Sequence, residues 1–138
     1  MISENKNSSG IKVFDVEHTP TYGNISVEIN FDFKNDFGYG PVSMDGCIQM
    51  MVDFWNGAEG RLNENEGDYL RTFLKQLCQR CLIVSIEYNR NVDGVIKQFV
   101  NEEGWMAMDG SCGIKLLSVE LMYMDTQADY EIEERVPA

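Results

Sequence analysis

Five apolar residues fall at every second position from Ile25 to Phe33: Ile25, Val27, Ile29, Phe31 and Phe33. Asn24, Ser26, Glu28, Asn30 and Asp32 stand between them. Side chains alternate across a strand, so this spacing predicts a strand over 23–33 with one buried and one wet face. A helix would scatter the same residues around its circumference. Residues 11–18 also read as a strand. Their alternation breaks at Val13 and Phe14, which marks a bulge or an edge. Pro20 and Gly23 supply a turn, so 11–33 reads as a hairpin.

The middle of the chain changes period. After a loop at 36–41, Ser43 caps a helix whose stripe is Met44, Cys47, Ile48, Met51, Val52 and Trp55. Gly57, Gly60 and Gly67 mark 56–67 as a polar loop. Asp68 caps the longest helix. Tyr69, Leu70, Phe73, Leu74, Leu77, Cys81 and Val84 share one face of it, and Arg71, Lys75, Gln79 and Arg80 face away. The stripe extends to Tyr88. Residues 82–86 are rich in β-branched side chains, so a switch to strand after Cys81 is the alternative. Asn91 caps a third helix carrying Val92, Val95, Ile96, Phe99 and Val100, and Gly104 ends it. Residues 105–113 read as a loop.

Alternation returns at Ile114. Leu117, Val119, Leu121 and Tyr123 share one side of a strand, with Ser118 and Glu120 on the other. Residues 125–128 turn the chain. Tyr130, Ile132 and Val136 then make a short edge strand or a frayed tail. The expected fold is α+β, in the order β-β-α-α-α-β(-β). An antiparallel sheet of three or four strands carries two or three helices on one face. Residues 1–10 are expected to be a disordered arm and 11–136 a single domain, within the usual domain size.

Charge follows the same division. Residues 1–60 hold nine acids and three bases, 61–97 five acids and six bases, and 98–138 nine acids and two bases. A near-neutral helical middle thus separates two acidic strand segments, within a net charge of −12. The wet face of the sheet would gather Glu28, Asp32, Glu120, Glu131 and Glu133. An isoelectric point near 4.3 argues against direct nucleic-acid binding, which needs clustered Lys and Arg. It suits a basic protein surface, or solubility alone. With 43% hydrophobic residues the chain can build a core, unlike a disordered acidic chain. No run approaches the ~18 apolar residues of a membrane span, and the polar start lacks the apolar stretch of a signal peptide. A cytoplasmic location with free thiols is the expectation.

Motifs for chemistry are weak. Cys78 and Cys81 form a C-x-x-C, but inside a helix rather than at its start, where the helix terminus would lower a thiol pKa. Cys47 and Cys112 are isolated, so a four-cysteine zinc site lacks its second knuckle. Buried free thiols are the better reading, and no cofactor is expected. His18 is the sole histidine and reads as a surface residue. Residues 63–68 lack the order of a calcium loop, and 38–41 lack the lysine of a phosphate-binding loop. The acid pairs Glu102-Glu103 and Glu133-Glu134 are uninformative among 23 acids. Trp105, Met106 and Met108 either form an adaptable binding surface or, more simply, fold back onto the core.

Gly67-Asp68-Tyr69-Leu70 through Leu77, Asn91-Val92-Asp93-Gly94, Glu102-Glu103-Gly104-Trp105 and Met108-Asp109-Gly110-Ser111 carry a resemblance. Over about 44–120 the chain resembles a family of small uncharacterised proteins of bacteria, phages and prophages. The resemblance implies a mobile-element context and brings no activity or site residues with it. Three readings follow. The first is a non-enzymatic module whose acidic face engages a basic protein, blocking its nucleic-acid site. The second is a self-associating protein, a homodimer built on a patch around Met122 and Met124. The third is a metal or redox protein using Cys78 and Cys81.

Overall fold

The computed structural model describes residues 9–88, 91–121 and 130–135. Residues 1–8 of the arm expected over 1–10, the Met122 and Met124 patch, and the turn at 125–128 lie outside the described residues.

β1 (Ile11–His18) and β2 (Gly23–Asn30) form the expected antiparallel hairpin, in unbroken register from Ile11 opposite Asn30 to His18 opposite Gly23. The phase change at Val13 and Phe14 is therefore neither a bulge nor an edge. β1 lies inside the sheet, whose order is β5-β2-β1-β6 with every pair antiparallel. β6 (Tyr130–Glu134) pairs with β1, which settles the last segment as an edge strand. β5 (Ile114–Glu120) forms the opposite edge.

The bulge sits between β2 and β5. Ser26 faces Ser118, but Val27 faces Leu116, so Leu117 is looped out. Ile114 and Leu116 are buried, while Leu117 is 37% exposed. The expectation that Leu117 shares the side of Val119 is thus corrected by one inserted residue. Strict alternation cannot reveal such an insertion, because both phases of the stretch 114–121 contain apolar residues.

β2 ends at Asn30, shorter than the alternation predicts, and the chain turns through 31–33. The predicted loop at 36–41 is a small hairpin, β3 (Lys34–Asp36) against β4 (Pro41–Ser43). Gly38 and Gly40 take positive φ, and the Asp36 carboxylate accepts from both of their amides.

α1 (Met44–Phe54) starts at Ser43, whose hydroxyl accepts from the Gly46 amide. The supposed polar loop at 56–67 contains α2 (Ala58–Glu64), which the glycine pattern hid. Arg61 anchors it: the guanidinium donates to the carbonyls of Val52, Trp55 and Asn56 at the end of α1, and to Gln76 on the next helix. That helix, α3 (Tyr69–Tyr88), opens with the Asp68 carboxylate accepting from the Arg71 amide. It runs unbroken through the β-branched stretch. Cys81, Leu82 and Val84 are fully buried there, so packing overrides local propensity. α4 (Val92–Phe99) is capped by Asn91 as expected.

The core lies between the helices and one sheet face. Phe14, Val16, Ile25, Val27 and Ile29 meet Phe73, Leu77, Cys78, Leu82 and Phe99. This is an α+β architecture, as the change of period predicts.

Candidate functional site

Burying Phe14, Val16, Ile25 and Val27 forces their neighbours onto the opposite face of the sheet. Antiparallel register then stacks those residues in rows. In one row Glu120 lies opposite Asn24, Asn24 opposite Glu17, and Glu17 opposite Glu131. The next row runs Ser118, Ser26, Asp15 and Glu133. A third places Glu28 between Lys115 and Val13. The outer face is acidic, and most strongly at the end near the β1–β2 turn.

Four of the five expected residues, Glu28, Glu120, Glu131 and Glu133, lie on this face. Asp32 does not, because β2 stops at Asn30; it is exposed in the following turn, where its amide donates to the Asn30 side chain. Glu28 has Lys115 as its cross-strand neighbour, which offsets its charge. Glu17 and Asp15 belong to the face and were missed in the sequence. The signal was their alternation with Phe14, Val16 and His18, obscured by Val13 next to Phe14. A groove of about 700 Å³ is lined by Asp15, Glu17, Asn24, Glu131 and Glu133, with Arg71 of α3 also reaching it.

Asp15 is the carboxylate on this face with an ion-pair partner among the described residues. Arg135 Nη2 lies 2.6 Å from its Oδ1, and Nε donates to Oδ2 at 3.2 Å. Ser26 also donates its hydroxyl to Asp15. The Arg135 hydrogen bonds pull the Asp15 carboxyl below its ordinary pKa, against a smaller opposing effect of burial.

The residues of the alternative chemistries sit differently. His18 is fully buried, not on the surface, because it faces inward with Phe14 and Val16; its Nδ1 lies 2.7 Å from the Thr21 hydroxyl. Cys78 and Cys81 are buried in the core, and the Cys78 thiol donates to the Val16 carbonyl. Burial pushes Cys78 up to about 12 and Cys81 well above its ordinary value. Neither is a ready thiolate. Glu102 is held by Arg80 at 2.6 Å and by Gln98, joining α4's exit to α3. Trp105 folds back onto the core, edge-on to Phe99 at 5.4 Å and tilted against Phe73 at 6.2 Å.

Fold and surface together define a small α+β protein whose four-stranded sheet carries helices on one face and acid on the other. The chain belongs to the family described as protein of unknown function (DUF2528), whose model matches residues 42–132. It is similar to protein ea10 of Escherichia phage lambda and to the lambda prophage-derived protein ea10 of Escherichia coli O6:H1. Each is 31% identical over 100 residues, covering 69% of this chain and 75% of the relative. The relatives are thus phage and prophage proteins. No solved structure matches significantly. No helix among the described residues is long and apolar enough to cross a membrane.

Proposed function

We propose that this chain is a non-enzymatic protein-binding module whose outer sheet face engages a basic protein surface, such as the nucleic-acid site of a host or rival protein. The observation that carries this reading is the row Glu120, Asn24, Glu17, Glu131, which holds three carboxylates and no cation. Ordered strands fix the backbone under those charges at cross-strand spacing, so a Lys- or Arg-rich surface meets them at the cost of side-chain ordering alone. The groove beside the row gives long cationic side chains somewhere to lie. Supporting the non-enzymatic part, the histidine and the C-x-x-C pair are buried and committed to internal contacts.

The test is capture of proteins from host lysate by the wild type and by a Glu17→Lys, Glu120→Lys, Glu131→Lys variant. Partners on this face are retained at low salt, lost at high salt where exposed charges are screened, and absent from the variant. Retention unchanged in a folded variant would overturn the reading.

A further inference from the structure

The two edges of the sheet differ. At β5 the outer edge is partly covered by the chain itself: the Gly110 amide donates to the Ile114 carbonyl and the Leu116 amide to the Met108 carbonyl, both at 2.9 Å. At β6, none of the described residues pairs with the side away from β1.

Hydrogen-bond phase shows which backbone groups β6 leaves open. Opposed residues in antiparallel strands alternate between bonded and non-bonded pairs. The Arg135 amide donates to the Val13 carbonyl at 2.8 Å, so in this register Glu133 exchanges main-chain bonds with Asp15, and Glu131 with Glu17. The far side of β1 has the complementary phase. Phe31 donates its amide to the Gly10 carbonyl, which directs the main chain of Lys12, Phe14 and Val16 to β2. Ile132 and Glu134 therefore turn their amides and carbonyls away from β1. An edge of this kind is a template for one more strand.

The side chains along the edge select among strands. Glu131 and Glu133 are exposed on the outer face, and neither has an ion-pair partner among the described residues. Ile132 between them lies on the helical side, packed against the core. A second copy joined antiparallel through β6 would set Glu131 of one copy against Glu133 of the other. Like charges directly opposite are destabilising, and each copy carries −12. The edge thus repels its own kind and attracts a strand with cations in those places.

We infer that the outer edge of β6 takes an extended segment of the basic partner as an added antiparallel strand. Its Lys or Arg residues lie opposite Glu131 and Glu133, and its alternate, apolar residues lie opposite Ile132 on the helical side. Glu131, Ile132 and Glu133 also line the groove of about 700 Å³, where the cationic stems lie. This inference rests on the acidic-face reading and adds to it a backbone pairing that charge alone does not require.

The test uses the full chain and three labelled peptides of equal charge, each alternating Lys and Val. One is unmodified, one is N-methylated at the Val amides, and one is N-methylated at the Lys amides. In the inferred register the Val residues form the bonded pairs with Ile132 and Glu134, so Val amides face β6 and Lys amides face away. Fluorescence anisotropy measures affinity, and amide hydrogen exchange by nuclear magnetic resonance reads Ile132 and Glu134. The unmodified and Lys-methylated peptides should bind alike and protect both amides, and the Val-methylated peptide should bind at least about tenfold more weakly. Equal binding by all three, or a loss on methylating the Lys amides, would overturn the edge inference and leave the acidic-face reading standing. Binding by none would overturn the edge inference, and the lysate capture would judge the face reading separately. Protection of the two amides before peptide is added would show an edge already covered, by a second copy if it grows with protein concentration, and would also overturn the inference.

Discussion

Arg135 grips Asp15 through two hydrogen bonds although 120 residues separate them, joining the end of β6 to the middle of β1. The pair sits on the outer sheet face and is about half exposed, so its effect on stability is small and salt-sensitive. Its pH signature is nevertheless distinct. The Asp15 pKa is lower in the folded chain than its ordinary 3.8. The stabilisation is therefore complete above that value and disappears as pH falls through the lowered folded value. Asp15→Asn should be slightly less stable than the wild type at neutral pH, and the gap should close below pH 3.8. Urea titrations at several pH values measure this. A gap that persists or widens in acid would show that the ion pair is not its cause.

The bulge in β5 makes neighbouring leucines unequal. Leu116 is 1% exposed and Leu117 37% exposed. Leu116→Ala should cost about 2–5 kcal/mol, the range for emptying a buried leucine site. Leu117→Ala should cost about 0.5 kcal/mol or less. Denaturant midpoints of the two variants compare them directly, and equal losses would place the bulge elsewhere.

The same pair shows where sequence reading stops. β2 was legible because its two phases differ completely in polarity, and α1 and α4 because Ser43 and Asn91 cap regular apolar stripes. β5 was only half legible, since Leu116, Leu117, Val119 and Leu121 fill both phases and only the pairing with Val27 tells them apart. α2 escaped because its stability comes from Arg61 reaching the carbonyls that end α1, a tertiary contact that leaves no local pattern. The acidic face was legible as a segment-wise charge excess. Its centre was not: Glu17 joins it through the register of β1, and Asp32 leaves it because the chain turns at Asn30.

Gly104 takes φ +83 and lies directly under the Phe54 ring. Alanine there meets two penalties. Left-handed backbone costs an L-residue about 1–2 kcal/mol, and the added methyl must displace a ring that holds residues 104–106 against α1. Gly104→Ala should lose about 2–4 kcal/mol in total, with a change in tryptophan emission as Trp105 shifts. Gly60→Ala in α2 is the control. Its Cβ would meet nothing within 4 Å, so the helix should gain slightly. Thermal unfolding of both variants checks the contrast.

The four thiols are free, and burial separates them. Cys78 is pushed up to about 12 and Cys81 higher still, while desolvation also raises Cys47. Only Cys112 is partly exposed. Alkylation of the native protein near pH 8 should modify Cys112 first and leave the other three until unfolding exposes them. Peptide mass spectrometry over a time course identifies the order. Early modification of Cys78 or Cys81 would show that the middle of α3 opens far more readily than its packing implies.

The family match begins at residue 42, beyond both central strands. In the sheet order β5-β2-β1-β6, the matched segment supplies β5 and the first part of β6, and neither of the two strands between them. A chain starting at residue 42 would leave β5 and β6 without neighbours and strip Phe14, Val16, Ile25, Val27 and Ile29 from beneath α3. The apolar side of α3 would then face water, and Cys78 would lose the Val16 carbonyl. Isolated strands and short helices are marginal without such packing. The fragment should therefore show no cooperative unfolding transition and should aggregate, whereas the chain from residue 9 onward should unfold cooperatively. Far-ultraviolet circular dichroism during thermal denaturation distinguishes the two. A cooperative transition in the shorter fragment would mean that the matched segment folds without the β1–β2 hairpin, and that the hairpin is an addition to the family's core rather than its centre.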